Sequence, residues 1–156
     1  MKDKTNAMRI LESKNITYGE YSYAGTGAIS GVDAAAAIGQ NPERVFKTLV
    51  TTGKTGAHYV FMIPVSAELD LKKAAVYVGE KSIEMLKSKD LLLLTGYIHG
   101  GCSPIGMKKL FATIVHKTAQ NFDTIIFSGG KIGYQIELSI ESLATVVRLN
   151  IGDIIK

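Results

Sequence analysis

The sequence predicts an α+β fold built around a mixed, strongly curved sheet. Two observations carry this. Segments with helical and strand-like hydrophobic periods are interspersed, but they lack the strict strand–helix–strand rhythm of a doubly wound parallel sheet. The chain has 156 residues, 46% hydrophobic and 21% charged, enough to bury one core without disulfides. One domain spanning residues 1–156 is therefore expected.

Residues 5–14 read as the first helix, with Thr5 or Asn6 as its cap and Met8, Ile10 and Leu11 as its apolar stripe. Tyr18, Tyr21 and Tyr23 mark a short strand-like segment. The Gly25-Thr26-Gly27 loop then leads to Ser30, a cap for an alanine-rich helix over 32–38. Residues 45–52 and 58–65 read as two strands joined by a hairpin-type turn through Gly53 and Gly56. Both faces of the first are apolar or small, so it should be central. Asp70 caps a helix to about Val78, with Gly79 just past its end. Residues 82–94 read as a further helical stretch. Residues 112–116, 124–127 and 134–138 are strands, Ser139 opens a helix to about Val146, and a short basic tail closes the chain.

No apolar run approaches the length of a membrane span, and no apolar segment follows the charged start as a secretory signal would require. The single cysteine, Cys102, excludes an internal disulfide. A soluble, cytoplasmic protein is expected. The net charge of +4 and pI near 9.1 are mildly basic. Lysines 72, 73, 81, 87, 89, 108 and 109 form either a phosphate-attracting patch or a solvated face, and charge alone favours the second.

Chemistry concentrates in two small-residue segments and one lysine. Residues 95–106 hold Gly96, Gly100, Gly101, Gly106 and Pro104, a composition that brings exposed amides close to a partner. A second turn follows at Ser128-Gly129-Gly130-Lys131-Ile132-Gly133. Lys47 shares a strand face with Val45 and Leu49. It either meets an anion in a wet cleft or snorkels from a sheet edge, and pattern alone leaves that open. Thr48 points to the other face of a regular strand.

Familiar motifs fail. Gly53-Lys54-Thr55 lacks the first P-loop glycine, because position 48 is Thr. The glycines of 25–31 have the wrong spacing for a dinucleotide fingerprint. His58, His99, His116 and Cys102 lack metal-ligand spacing, so no metal is expected. His99 and Cys102 evoke a thiol enzyme but lack an orienting third group, and Ser103 has no evident base.

Asn41-Pro42-Glu43-Arg44-Val45-Phe46-Lys47-Thr48-Leu49-Val50, then Glu68 to Ala75, the loop 95–106 and Ser128-Gly129-Gly130 together resemble the YbaK/EbsC family. These proteins are free-standing relatives of the editing domain of bacterial prolyl-tRNA synthetase. The resemblance implies a barrel-like sheet surrounded by helices and hydrolysis of mischarged aminoacyl-tRNA, with Cys-tRNA(Pro) as the first candidate. It implies that Lys47 holds the 3′-terminal nucleotide and its ester, and that the Gly100-Gly101-Cys102-Ser103-Pro104 loop donates amides to the carbonyl or its oxyanion. Lys47, Gly100 and Gly101 are thereby the expected catalytic positions. Tyr23, Thr48, Cys102, Ser103, Pro104, Ser128, Gly129 and Gln135 are the expected substrate-binding positions.

In the Cys-specific members the substrate's own thiol attacks its ester, so the resemblance implies no cofactor and no protein nucleophile. Gln135 departs from the acidic residue those members carry, and the loop 25–31 lacks a matching aromatic. Both positions bear on side-chain choice. The expected partners are the 3′ acceptor end of aminoacyl-tRNA and, as a candidate, prolyl-tRNA synthetase, with no membrane. The competing expectations are a deacylase for another small amino acid such as alanine, and a non-catalytic module that binds tRNA ends or a nucleotide.

Overall fold

The computed structural model describes residues 4–28 and 31–156. Its strands fall into two sheets. β1 (Gly19–Ser22), β7 (Tyr134–Leu138) and β6 (Ile125–Lys131) form a three-stranded antiparallel sheet in the order β1-β7-β6. The second sheet has the order β4-β2-β3-β5-β8. Its members are β2 (Phe46–Gly53), β3 (His58–Pro64), β4 (Ile83–Met85), β5 (Ala112–His116) and β8 (Arg148–Gly152). β4, β2 and β3 pair antiparallel, whereas β3, β5 and β8 pair parallel, so this sheet is mixed as expected.

The expectation of one strongly curved, barrel-like sheet is corrected. Both sheets are open, and one parallel bridge, Val45 to Ile126, joins them. Beyond the bridge the strands pair elsewhere, β2 with β3 and β4 and β6 with β7, which keeps the two sheets separate.

Local chemistry explains the helices. α1 (Asn6–Ser13) starts where the Thr5 side chain accepts a bond from the Met8 amide, and it buries Ala7, Met8 and Leu11. α2 is Gly31–Ala37, and the expected cap Ser30 lies outside the described residues. α3 (Leu71–Val78) begins at Asp70, whose carboxylate accepts from the Lys72 and Lys73 amides, and ends at Gly79 with φ of 78°.

The helix expected over 82–94 is only half present. Ile83–Met85 instead adds an edge strand to β2, and α4 (Ser88–Thr95) follows it. α5 (Ile140–Leu143), capped by Ser139, is shorter than expected. The expected basic tail is strand β8, which pairs parallel to β5.

One apolar core joins the two sheets. Met8 and Leu11 of α1 meet Phe46, Met62 and Val115 from the mixed sheet and Phe127, Ile136 and Leu138 from the antiparallel one. Burying each such side chain contributes about 1.5–3 kcal/mol. The core therefore fixes β2 against β6 at the bridge. Next to it Arg44 donates to Glu137 at 2.5 Å, and the same carboxylate accepts from Tyr21 and Thr124. Burial pulls the Glu137 carboxyl up, but the Thr124 and Tyr21 bonds and the Arg44 charge outweigh it and hold the group below the usual carboxylate range.

Candidate active site

The cleft opens where β2 and β6 part company. From the parallel bridge at Val45 and Ile126, each strand continues two residues on the same face, to Lys47 and Ser128. Both line a cavity of about 340 Å³. α2 closes one side through Gly31 and Ala34. A Cβ on Gly31 would stand 2.5 Å from Cγ1 of Val65, so only glycine lets this wall approach. The opposite wall is Met85, Leu86, Ser88 and Leu91 from β4 and α4.

Lys47 is the one charged side chain lining the cavity, and no carboxylate faces it among the described residues. Among the described residues Lys47 makes no ion pair, so its ammonium can meet an incoming anion or carbonyl. Thr48, expected on the opposite face, lines the cavity as well, as do Phe46, Leu49 and Val50. Its Oγ1 is buried without a partner. Gln135 pairs in register with Ser128, is 6% exposed, and has an equally unpartnered Oε1. An orphaned buried oxygen costs about 1–3 kcal/mol, and two in one cleft indicate a ligand that donates hydrogen bonds. Tyr23 completes this end of the cavity, held by its N–H, which donates a hydrogen bond to the Gly133 carbonyl at 2.9 Å.

The loop after α4 is stiffened by its own bonds. Gly96 ends the helix with φ of 87°, Tyr97 N–H donates to Thr95 Oγ1, and the Tyr97 hydroxyl donates to the Ile105 carbonyl. Gly100 has φ of 86°, and Gly100 and Cys102 both line the cavity. Their amides make no hydrogen bond within the described residues. Gly101, the other expected amide donor, differs. Its N–H donates to the Ile98 carbonyl at 3.0 Å, and the residue does not line the cavity. A Cβ there would lie 3.0 Å from the Ile132 nitrogen, so Gly101 serves the close approach of the two small-residue segments.

The structure thus brings Tyr23, Lys47, Thr48, Gly100, Cys102, Ser128 and Gln135 together around one cavity. Ser103, Pro104 and Gly129 stand behind it. Ser103 is fully buried and accepts from the Ile105 amide. Pro104 lines a second cavity of about 210 Å³, and Gly129 packs under Ile136 and Met8.

Burial pushes the Cys102 thiol up to about 12, far from the thiolate a nucleophile needs. His99 is exposed at the rim and shares no hydrogen bond with Cys102. Among the described residues, no three His, Cys, Asp or Glu side chains cluster as a metal site requires. The wall from β4 and α4 was missed in the sequence because a continuous helix was expected there.

A family model described as "Aminoacyl-tRNA editing domain" matches residues 28–146. The chain is 46% identical over 152 residues to an Enterococcus faecalis protein named provisionally as Cys-tRNA(Pro)/Cys-tRNA(Cys) deacylase EbsC, covering 97% of this chain and 93% of that one. It is 23% identical over 128 residues to the proline–tRNA ligase of Thermosipho melanesiensis, covering 78% of this chain but only 22% of the ligase. A solved structure described provisionally as a trans-editing enzyme for prolyl tRNA synthetase superimposes with a TM-score of 0.85 at 21% identity, covering 99% of each chain. That last likeness is one of fold.

Proposed function

The chain belongs to the aminoacyl-tRNA editing family, the expected YbaK/EbsC relationship included, and we propose that its cleft hydrolyses mischarged aminoacyl-tRNA, with Cys-tRNA(Pro) as the preferred substrate. The observation that carries this reading is a cavity that, among the described residues, has one unpaired lysine, unpartnered amides and orphaned oxygens but no carboxylate. Such a site can hold and polarise an ester. Among the described residues its lining offers no carboxylate base and no activated nucleophile.

In this reading Lys47 receives the terminal nucleotide and its ester. The amides of Gly100 and Cys102 donate to the carbonyl oxygen as charge develops on it, and Gly101 acts by holding the loop. Thr48 and Gln135 accept hydrogen bonds from the aminoacyl group, beside Tyr23 and Ser128. For a cysteinyl ester, the substrate sulfur attacks its own carbonyl carbon. The new S–C bond replaces the ester C–O bond, and the thiol proton ends on the ribose oxygen. Water then opens the cyclic thioester to free cysteine. The protein's work is near-attack geometry and charge stabilisation. The reaction takes place in the cytoplasm, in one domain over residues 1–156, without metal or organic cofactor.

The test is the rate of ester loss from Cys-, Ala- and Ser-charged tRNA(Pro), measured for wild type, Lys47→Ala and Cys102→Ala. Cysteine should be lost fastest, Lys47→Ala should slow that loss by about 100-fold, and Cys102→Ala should retain most activity. Faster loss of alanine would assign the site to that substrate and remove the thiol-assisted step. Unchanged rates in folded Lys47→Ala would overturn the site, and tight binding without turnover on any ester would make the protein a binding module.

A further inference from the structure

We infer that α4 and the loop after it form the surface on which the unpaired acceptor end of an RNA approaches the cleft. This rests on the deacylase reading for the identity of the RNA, but its observations are separate. Residues 81–109 contain five lysines and two acids, Glu84 and Asp90, and so hold three of the chain's four net positive charges. This stretch also supplies one wall and part of the rim of the cleft.

The lysines of this face carry no ion pair among the described residues. Lys87 lies between Leu86 and Ser88, both of which line the cavity, and Lys89 follows in the first turn of α4. Lys108 lies against Gly96 at the other end of that helix, its ammonium 3.4 Å from the Leu93 carbonyl. Lys131 sits beside Gly101 on the facing segment and lies over the Tyr134 ring. All four are exposed, and none forms an ion pair among the described residues.

Several lysines elsewhere are neutralised, whereas Lys14, Lys54 and Lys72 are unpaired among the described residues but do not border the cleft. Lys73 and Lys117 share Asp153, at 3.3 and 3.9 Å, and Lys156 pairs with Glu68 at 3.2 Å. Unpaired lysines bordering the cleft make the α4 face the one where a polyanion entering the site gains most, because phosphates there displace only mobile counterions.

Exposed apolar side chains accompany these charges. Leu92, Leu93, Ile98 and Ile132 are 39–77% exposed, and Ile132 lies within 3.6 Å of a Cβ built on Gly100. A strand with unpaired bases suits that mixture. Lysines meet its phosphates while base faces shed water against leucine and isoleucine.

The test is fluorescence anisotropy of labelled, uncharged tRNA(Pro) from about 50 to 200 mM salt, with steady-state deacylation measured in parallel. The variants are Lys87→Gln/Lys89→Gln, Lys108→Gln/Lys131→Gln and the control Lys117→Gln/Lys156→Gln. Each rim pair should weaken binding by about tenfold at low salt and reduce the salt slope by about 1–2. KM should rise with kcat retained, and the control should match wild type. Rim variants that bind like wild type, or a control that loses as much, would overturn the inference. Unchanged RNA affinity with weakened binding to purified prolyl-tRNA synthetase would overturn it too, giving the face to a protein. Wild type that binds RNA through these lysines but cleaves no ester would uphold the surface while removing the deacylase reading.

Discussion

Val45 and Ile126 form the parallel bridge between the two sheets, and the cleft begins two residues beyond each, at Lys47 and Ser128. Neither sheet contains the site alone. Its shape depends on how closely the loop 95–106 can lie against the segment 128–133 that leaves β6.

Gly101→Ala tests that dependence. The added methyl would meet the Ile132 nitrogen at 3.0 Å and the Lys131 carbonyl carbon at 3.2 Å, both backbone atoms that cannot rotate away. The loop must shift, which costs about 1–3 kcal/mol by chemical denaturation and displaces the Gly100 and Cys102 amides. A shift of that kind should lower kcat by at least about tenfold, because misplacement near 1 Å is enough to lose about 100-fold. Wild-type kcat in this variant would show that the amides are not used.

Much of this arrangement is legible in the sequence where the signals are local. Asp70 and Gly79 bound α3 through a side-chain cap and a left-handed turn that need no tertiary partner. The β2–β3 hairpin and β7 are equally local. The misses are long-range. Ile83–Met85 is a strand only because β2 offers an edge, and Arg148–Gly152 is one only because β5 lies parallel to it. Lys47 could be singled out because a lysine in an apolar strand is costly. Gly101's amide could not be seen turning inward, because composition does not reveal which N–H closes a turn.

Gln135 separates stability from function. Its Oε1 is buried without a partner, so Gln135→Met should stabilise the unliganded protein by about 1 kcal/mol, as removal of an orphaned acceptor does. If that oxygen receives a hydrogen bond from the aminoacyl group, the same variant should raise KM by about tenfold. Thermal unfolding and steady-state kinetics on one preparation check both. Lower stability with unchanged KM would mean that Gln135 only fills space.

Cys102 should be unreactive in the folded protein. With burial lifting its thiol to about 12, the thiolate is a very small fraction at pH 8. Iodoacetamide labelling, followed by mass spectrometry, should be at least about 100-fold slower than for unfolded chain, whose thiol lies near 8.5. Rapid labelling under native conditions would return the thiol-enzyme reading to contention.

Acid should unfold the protein in two stages, and the sign follows from two groups. His116 is buried, and burial lowers its affinity for protons most, although Asp153 opposes this. Its Nδ1 accepts from the Ile154 amide at 3.3 Å, a bond the imidazolium cannot make there. The unfolded chain therefore binds this proton more readily, and stability declines as pH falls below the unfolded value of 6.5. Glu137 is also held below its unfolded value of 4.5, so the Arg44 network contributes fully above that pH and is lost as pH falls further. Urea midpoints from pH 8 to 3 should show both declines. Glu137→Gln should lose about 2 kcal/mol at pH 7 and flatten the lower one, whereas His116→Phe should flatten only the upper one. A single decline that neither substitution alters would place acid sensitivity elsewhere.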